Sequence, residues 1–164
     1  MVDDIRFMLA RKEAGAQYLQ RRCFIVSSFR NREVVAEAVT QLRARSLFVY
    51  DFTASELSDS ESDWNPPSLE RARQHVGIGA AARADLAMLK CLGAADIVLV
   101  ILPAGFAAGW EAGYAAGRGA QIIVCSNGSE QVDVPLLHAH QVFASLHNSI
   151  EYLSALVSQA RRMQ

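Results

Sequence analysis

The sequence has almost no charge imbalance: 16 Lys and Arg against 17 Asp and Glu leave a formal net charge of −1. That leaves no overall electrostatic case for binding a nucleic-acid polymer, although a nucleotide-sized anion asks only for a local site. Cysteine is scarce as well. Cys23, Cys91 and Cys125 are too scattered for a C-x-x-C pair or a Cys/His ligand set, so no metal site is expected from them and a reduced protein is the simpler reading; no organic cofactor is expected either. No apolar run approaches the ~20 residues of a membrane span. Met1 is followed by Asp3 and Asp4 where a signal peptide has a basic n-region, so the expectation is a cytoplasmic protein without membrane contact.

What is present is a dense apolar pattern. At 164 residues and 51% hydrophobic content the chain is long enough for one packed domain. The most informative stretch is Asp96 to Ser126. Ile97 to Leu102 is an unbroken aliphatic run of the kind a parallel strand buried on both faces requires, and Ile122 to Cys125 repeats it. Between them Pro103, Gly105 and Gly109 break the chain, which predicts a loop and then a helix from about Ala108 to Gly117. Glu111 then falls in the first turn, just past the carboxyl end of a buried strand, where open α/β sheets place their ligand sites. Gly105, Gly109, Gly113 and Gly117 leave room for something to lie against the backbone. Gly113 in particular costs ~1 kcal/mol relative to Ala in a helix interior and asks for a packing or functional reason.

Elsewhere the pattern alternates. Residues 3 to about 20 read as a helical extension (1–22) and the remainder, 23–164, as the main domain. Cys23 to Ser28 is the first strand, with Phe29, Arg30 and Asn31 in the loop after it. Asn31 is placed to cap a helix carrying Val34, Val35, Ala38, Val39 and Leu42. Leu47 to Asp51 is the second strand. The polar segment Phe52 to Pro67, with Trp64 its only large aromatic, reads as a surface loop of the length that often serves as a lid. A helix is expected over Ala80 to Leu92, a short fifth strand over Gln141 to Ser145 and a closing helix over Ser149 to Arg162 with Leu153, Leu156 and Val157 inward. The segment Gly77 to Ala82 mimics part of a dinucleotide fingerprint but comes after no strand, so it is set aside. Asp96 sits at the entry end of its strand and is given a structural role. Strand and helix in alternation predict a doubly wound, flavodoxin-like or Rossmann-like parallel sheet of about five strands in a single domain.

The pattern P-x-G-x-x-x-G-x-E-x-G-Y-A, from Pro103 through Glu111 to Ala115, resembles the nucleophile segment of the nucleoside 2-deoxyribosyltransferase superfamily, which includes N-glycosidases of nucleoside 5′-monophosphates. The segments S-S-F-R-N-R-E-V-V and V-Y-D-F-T are similar to motifs in the first half of its bacterial members, so the resemblance runs from about Cys23 to Phe143. It implies that Glu111 attacks the anomeric carbon and that Asp85, 26 positions earlier, positions the nucleophile or manages the proton on the departing base. It also implies a substrate site built from Phe24, Ser27, Phe29, Arg30, Asp51, Gly105, Ala107 and Gly109. His138 would be contributed by a neighbouring subunit of a homodimer. Phe24, where many relatives carry tyrosine, suggests tolerance of a ribose 2′-hydroxyl, as in CMP-cleaving members. Each residue also has a plainer reading: Phe24 as core, Arg30 as a solvated loop cation, His138 and His140 as ordinary imidazoles.

One departure bears on the substrate. Six residues before Glu111 the nucleoside-cleaving members commonly have an aspartate and the nucleotide-cleaving ones a serine, where this chain has Gly105. Without an acid there, backbone N–H groups of Gly105 to Gly109 are suited to a phosphate. The expected activity is hydrolysis of a pyrimidine nucleoside 5′-monophosphate, CMP or a modified CMP. The alternatives are a base-exchanging deoxyribosyltransferase and a non-catalytic nucleotide-binding module, with an NAD-cleaving glycosidase in reserve.

Overall fold

The computed structural model describes residues 22–53, 80–128 and 139–162. The chain divides into two compact units, one of Leu19–Thr53 with Leu92–Gln164 and the other of Met1–Tyr18 with Ala54–Cys91. The first contains a five-stranded, wholly parallel sheet in the order β2-β1-β3-β4-β5, formed by β1 (Arg22–Ser27), β2 (Phe48–Tyr50), β3 (Ile97–Ile101), β4 (Gln121–Cys125) and β5 (Gln141–Phe143). This is the flavodoxin-like order, and the fold is doubly wound α/β as the alternation predicts. The central strand β3 is buried at all five residues, which is why its sequence is an unbroken aliphatic run without period-2 alternation.

Three helices of this unit pack on the sheet, two of them between strands and the third after β5. Helix α1 (Arg32–Ala44) buries Val35, Ala38, Val39 and Leu42 of the stripe its spacing predicts, with Val34 only partly buried. Helix α3 (Phe106–Gly117) packs on β1, β3 and β4 through the small residues Ala108, Ala112 and Ala115. Helix α4 (Leu146–Arg162) packs on α1 and on β4 and β5, with Ile150, Leu153 and Val157 buried and Leu156 only partly so. It begins three residues earlier than expected because Ser145 caps it, its Oγ accepting from Asn148 N at 3.3 Å. The other unit contributes one described helix, α2 (Ala80–Lys90), whose buried residues include Asp85, Met88 and Leu89. The expected helix over residues 3–20 and nearly all of the loop 52–67, with Trp64, lie outside the described residues.

The amino ends of β1 and β3 are tied by charge. Asp96, 3% exposed, accepts from both Arg22 Nε at 2.6 Å and Arg22 Nη2, and from the Gly93 N–H at 2.8 Å. This is the structural role expected for Asp96, at the end of the sheet opposite to the loops of interest. No disulfide joins the three cysteines, and burial pushes the Cys23 thiol up to about 12 and raises that of Cys125.

Candidate active site

In this strand order the switch point lies between β1 and β3, whose outgoing connections leave in opposite directions and open a crevice at their carboxyl ends. Residues Ser27 and Ile101 are register partners at those ends. Strand β1 leads into a short turn, Phe29–Asn31, whose start is capped by Ser28 Oγ accepting from Arg30 N at 3.3 Å. Strand β3 leads through Leu102, a cis Pro103, Ala104 and Gly105 into α3.

Helix α3 begins at Phe106, two residues before the expected Ala108. Two glycines compete to end the loop. Gly105 takes the N-cap position in extended backbone, and Gly109 is already helical, its N–H donating to Gly105 O at 3.3 Å. Glu111 therefore lies in the second turn and no acid occupies the first, so the helix dipole acts on Glu111 less than the sequence suggests. It is partly buried beside the sheet-facing stripe Ala108, Ala112 and Ala115. Because Gly105 has no side chain to cap the helix, the first-turn N–H groups of Phe106, Ala107 and Ala108 carry no side-chain acceptor among the described residues, and Gly105 and Ala107 are exposed.

The glycines of α3 correct another expectation. Gly109, Gly113 and Gly117 are exposed, and among the described residues a methyl group on any of them meets nothing within 4 Å. At about 100° per residue, Gly109 and Gly113 lie roughly 160° around the helix from Glu111. The space they leave is on the outer face, beside the exposed rings of Phe106 and Trp110, and not against Glu111. No packing against a described residue explains Gly113.

The expected site residues separate into three groups. Ser27 ends β1, Phe29 and Arg30 lie in the turn after it, Gly105 and Ala107 stand at the start of α3 across the switch point, Gly109 lies further along α3 on its outer face, and Asp51 directly follows β2. The Arg30 side chain is exposed and its guanidinium has no partner among the described residues. Phe29 packs edge-on against Phe52 with ring centroids 5.2 Å apart. Asp51 is buried, and its Oδ1 accepts from Thr53 N at 2.9 Å and from Thr53 Oγ1 at 2.7 Å, which binds the acid into the turn after β2.

Two others are buried. Phe24 is 1% exposed and stacks on Tyr50 at 5.0 Å in the sheet's interior, so its plainer reading as core holds and the ring has no surface to offer a sugar. Asp85 is buried in α2, in the other compact unit from Glu111. The third group is His138, which lies outside the described residues. His140 is structural, Nδ1 accepting from Ile122 N at 3.0 Å where β4 meets β5.

Sequence reasoning missed Asn31. It stands at the N-cap of α1 but makes no capping bond; its amide reaches across the switch point instead. Nδ2 donates to Ser27 Oγ at 3.0 Å and to Pro103 O at 2.9 Å, with Ile101 O at 3.5 Å, while Ser27 Oγ donates to Ile101 O at 2.7 Å. An Asn before a helix carries the sequence signature of a cap, and nothing local announces partners 70 and 72 residues away.

No protein-family model matches the chain, and no curated protein matches it either. Among the described residues no group of three His, Cys, Asp or Glu side chains is placed to hold a metal ion, and no helix is long and apolar enough to cross a membrane.

Proposed function

We propose that the protein is an N-glycosidase that hydrolyses a pyrimidine nucleoside 5′-monophosphate, CMP or a modified CMP, to free base and the 5-phosphorylated sugar. The observation that carries this reading is the position of Glu111: a partly buried carboxylate on the helix that leaves β3 at the switch point of a 2-1-3-4-5 sheet, within the segment that resembles the nucleophile motif of the nucleoside 2-deoxyribosyltransferase superfamily. Arg30, exposed on the facing loop, and the uncapped N–H groups at the start of α3 support an anionic substrate.

In the proposed reaction a Glu111 oxygen bonds to the anomeric carbon as the carbon–nitrogen bond breaks, and the electron pair leaves with the base. The base takes a proton from solvent. Water then attacks the same carbon, giving its proton to a base and restoring the Glu111 carboxylate. A second free base in place of that water would make the protein a transferase. A homodimer in which the partner completes the site near His138, and a cytoplasmic setting, belong to the same proposal.

The test is base release from a panel of nucleosides, ribo- and deoxyribonucleoside 5′-monophosphates and NAD, with and without a second base. Cytosine from CMP, lost in Glu111→Gln, supports hydrolysis. Exchange outrunning hydrolysis turns the reading into a transferase, and tight CMP binding without turnover turns it into a binding module.

A further inference from the structure

The amide of Asn31 has its orientation decided by its surroundings. Pro103 O and Ile101 O are pure acceptors, so the NH2 group must face them, and a flipped amide would set Asn31 Oδ1 against a carbonyl oxygen. Ser27 Oγ has already given its hydrogen to Ile101 O, which leaves its lone pairs to accept from Asn31. Both amide hydrogens are thus committed. Oδ1 is then turned away from Pro103, and among the described residues no donor reaches it, although the residue is only partly buried and stands where β1 and β3 diverge.

A rigidly held amide with its donors used and its acceptor open is a recognition element for a ligand donor. From this the geometry points to Asn31 as the residue that orients the nucleotide's sugar: Oδ1 accepts a hydrogen bond from a ribose hydroxyl while Nδ2 holds the turn Phe29–Asn31 against the loop that leads into the Glu111 helix. The inference rests on the nucleotide reading above, and it adds a specificity residue which that reading does not contain. Arg30, its neighbour, offers only donors and suits the phosphate or the base; Asn31 Oδ1 offers only an acceptor and suits a hydroxyl.

The test is calorimetric binding of CMP, 2′-deoxy-CMP and 3′-deoxy-CMP to the full chain carrying Glu111→Gln, so that nothing turns over. With Asn31 present, removing the recognised hydroxyl weakens binding roughly three- to tenfold, the range of one neutral hydrogen bond. With Asn31→Ala added, the difference falls below about twofold. Ser27→Ala, which loosens the same turn without touching Oδ1, weakens all three nucleotides alike and keeps the discrimination.

A merely structural Asn31 would behave as Ser27 does, so discrimination that survives Asn31→Ala overturns the inference. Equal binding of the three nucleotides before any change at Asn31 overturns it too. Asn31→Ser, whose short hydroxyl cannot reach as far, is read in the same way should the alanine variant not fold. If CMP binds and discrimination is insensitive to Asn31, only this inference fails; if CMP does not bind, the nucleotide reading fails with it.

Discussion

Replacing Gly113 with alanine should make the protein more stable. Gly113 is the eighth residue of the twelve in α3, is exposed, and would place its new methyl group where no described residue comes within 4 Å. The folded state therefore neither gains packing nor suffers a clash. Only helix propensity remains: alanine is better than glycine in a helix interior by about 1 kcal/mol, mostly because the unfolded chain loses freedom. For a domain of this size that corresponds to a rise of roughly 2–4 °C in Tm. Urea denaturation of the full chain should show a higher midpoint with the slope unchanged. Because the methyl group lies about 160° around the helix from Glu111, turnover should stay within about twofold of the parent. A lower midpoint would refute the reasoning, since it would mean that something packs on the outer face of α3. A loss of turnover at undiminished stability would refute the assignment of faces.

Other parts of the fold can be tested in the same spirit. Cys23 is neutral in the folded state up to about 12 against an ordinary 9.0, so its stabilising contribution is fully present below pH 9 and is lost as pH rises from 9 towards 12, at about 1.4 kcal/mol for each pH unit. Cys23→Ala should flatten the fall in stability across that window, and an unchanged slope would contradict the buried thiol. Asp96→Ala removes the buried carboxylate that accepts from Arg22 and from the Gly93 N–H and should lower unfolding free energy by about 3 kcal/mol or more, measured by denaturant titration; a change near zero would place the pair effectively in solvent. Arg30→Ala should weaken CMP binding roughly tenfold and cytidine binding by less than about twofold, if the guanidinium meets the phosphate. Equal losses for both would move its contact to the base.

How far the sequence discloses the molecule depends on whether a feature is local. The run Ile97–Ile101 declares a central parallel strand, because burial on both faces removes every polar alternation, and the Val35, Ala38, Val39 and Leu42 stripe of α1 declares its inward face in the same way. The strand order brings Arg30 and the loop before Glu111 to one edge, which alternation and right-handed crossovers already imply. The start of α3 is less legible, since Gly105 and Gly109 both read as breakers and only the fold shows that Gly105 caps and Gly109 continues. Long-range partners are not legible at all. Asn31 reads as a cap until Pro103 is beside it, Asp96 has its arginine 74 positions away, and Phe24 is held in the core by Tyr50 of the neighbouring strand. Asp51 is a case of local chemistry underestimated: Thr53, two residues on, is enough to engage it.

The central claim is that Glu111 forms a covalent bond to the sugar, and the most direct measurement is intact-protein and peptide mass spectrometry after acid quench of the full chain reacting with CMP in the first turnovers. The account predicts an added mass of one ribosyl 5-phosphate group on the peptide containing Glu111, absent from Glu111→Gln. Cytosine release with no adduct at any quench time, or an adduct on another residue, or release undiminished in Glu111→Gln, would contradict it.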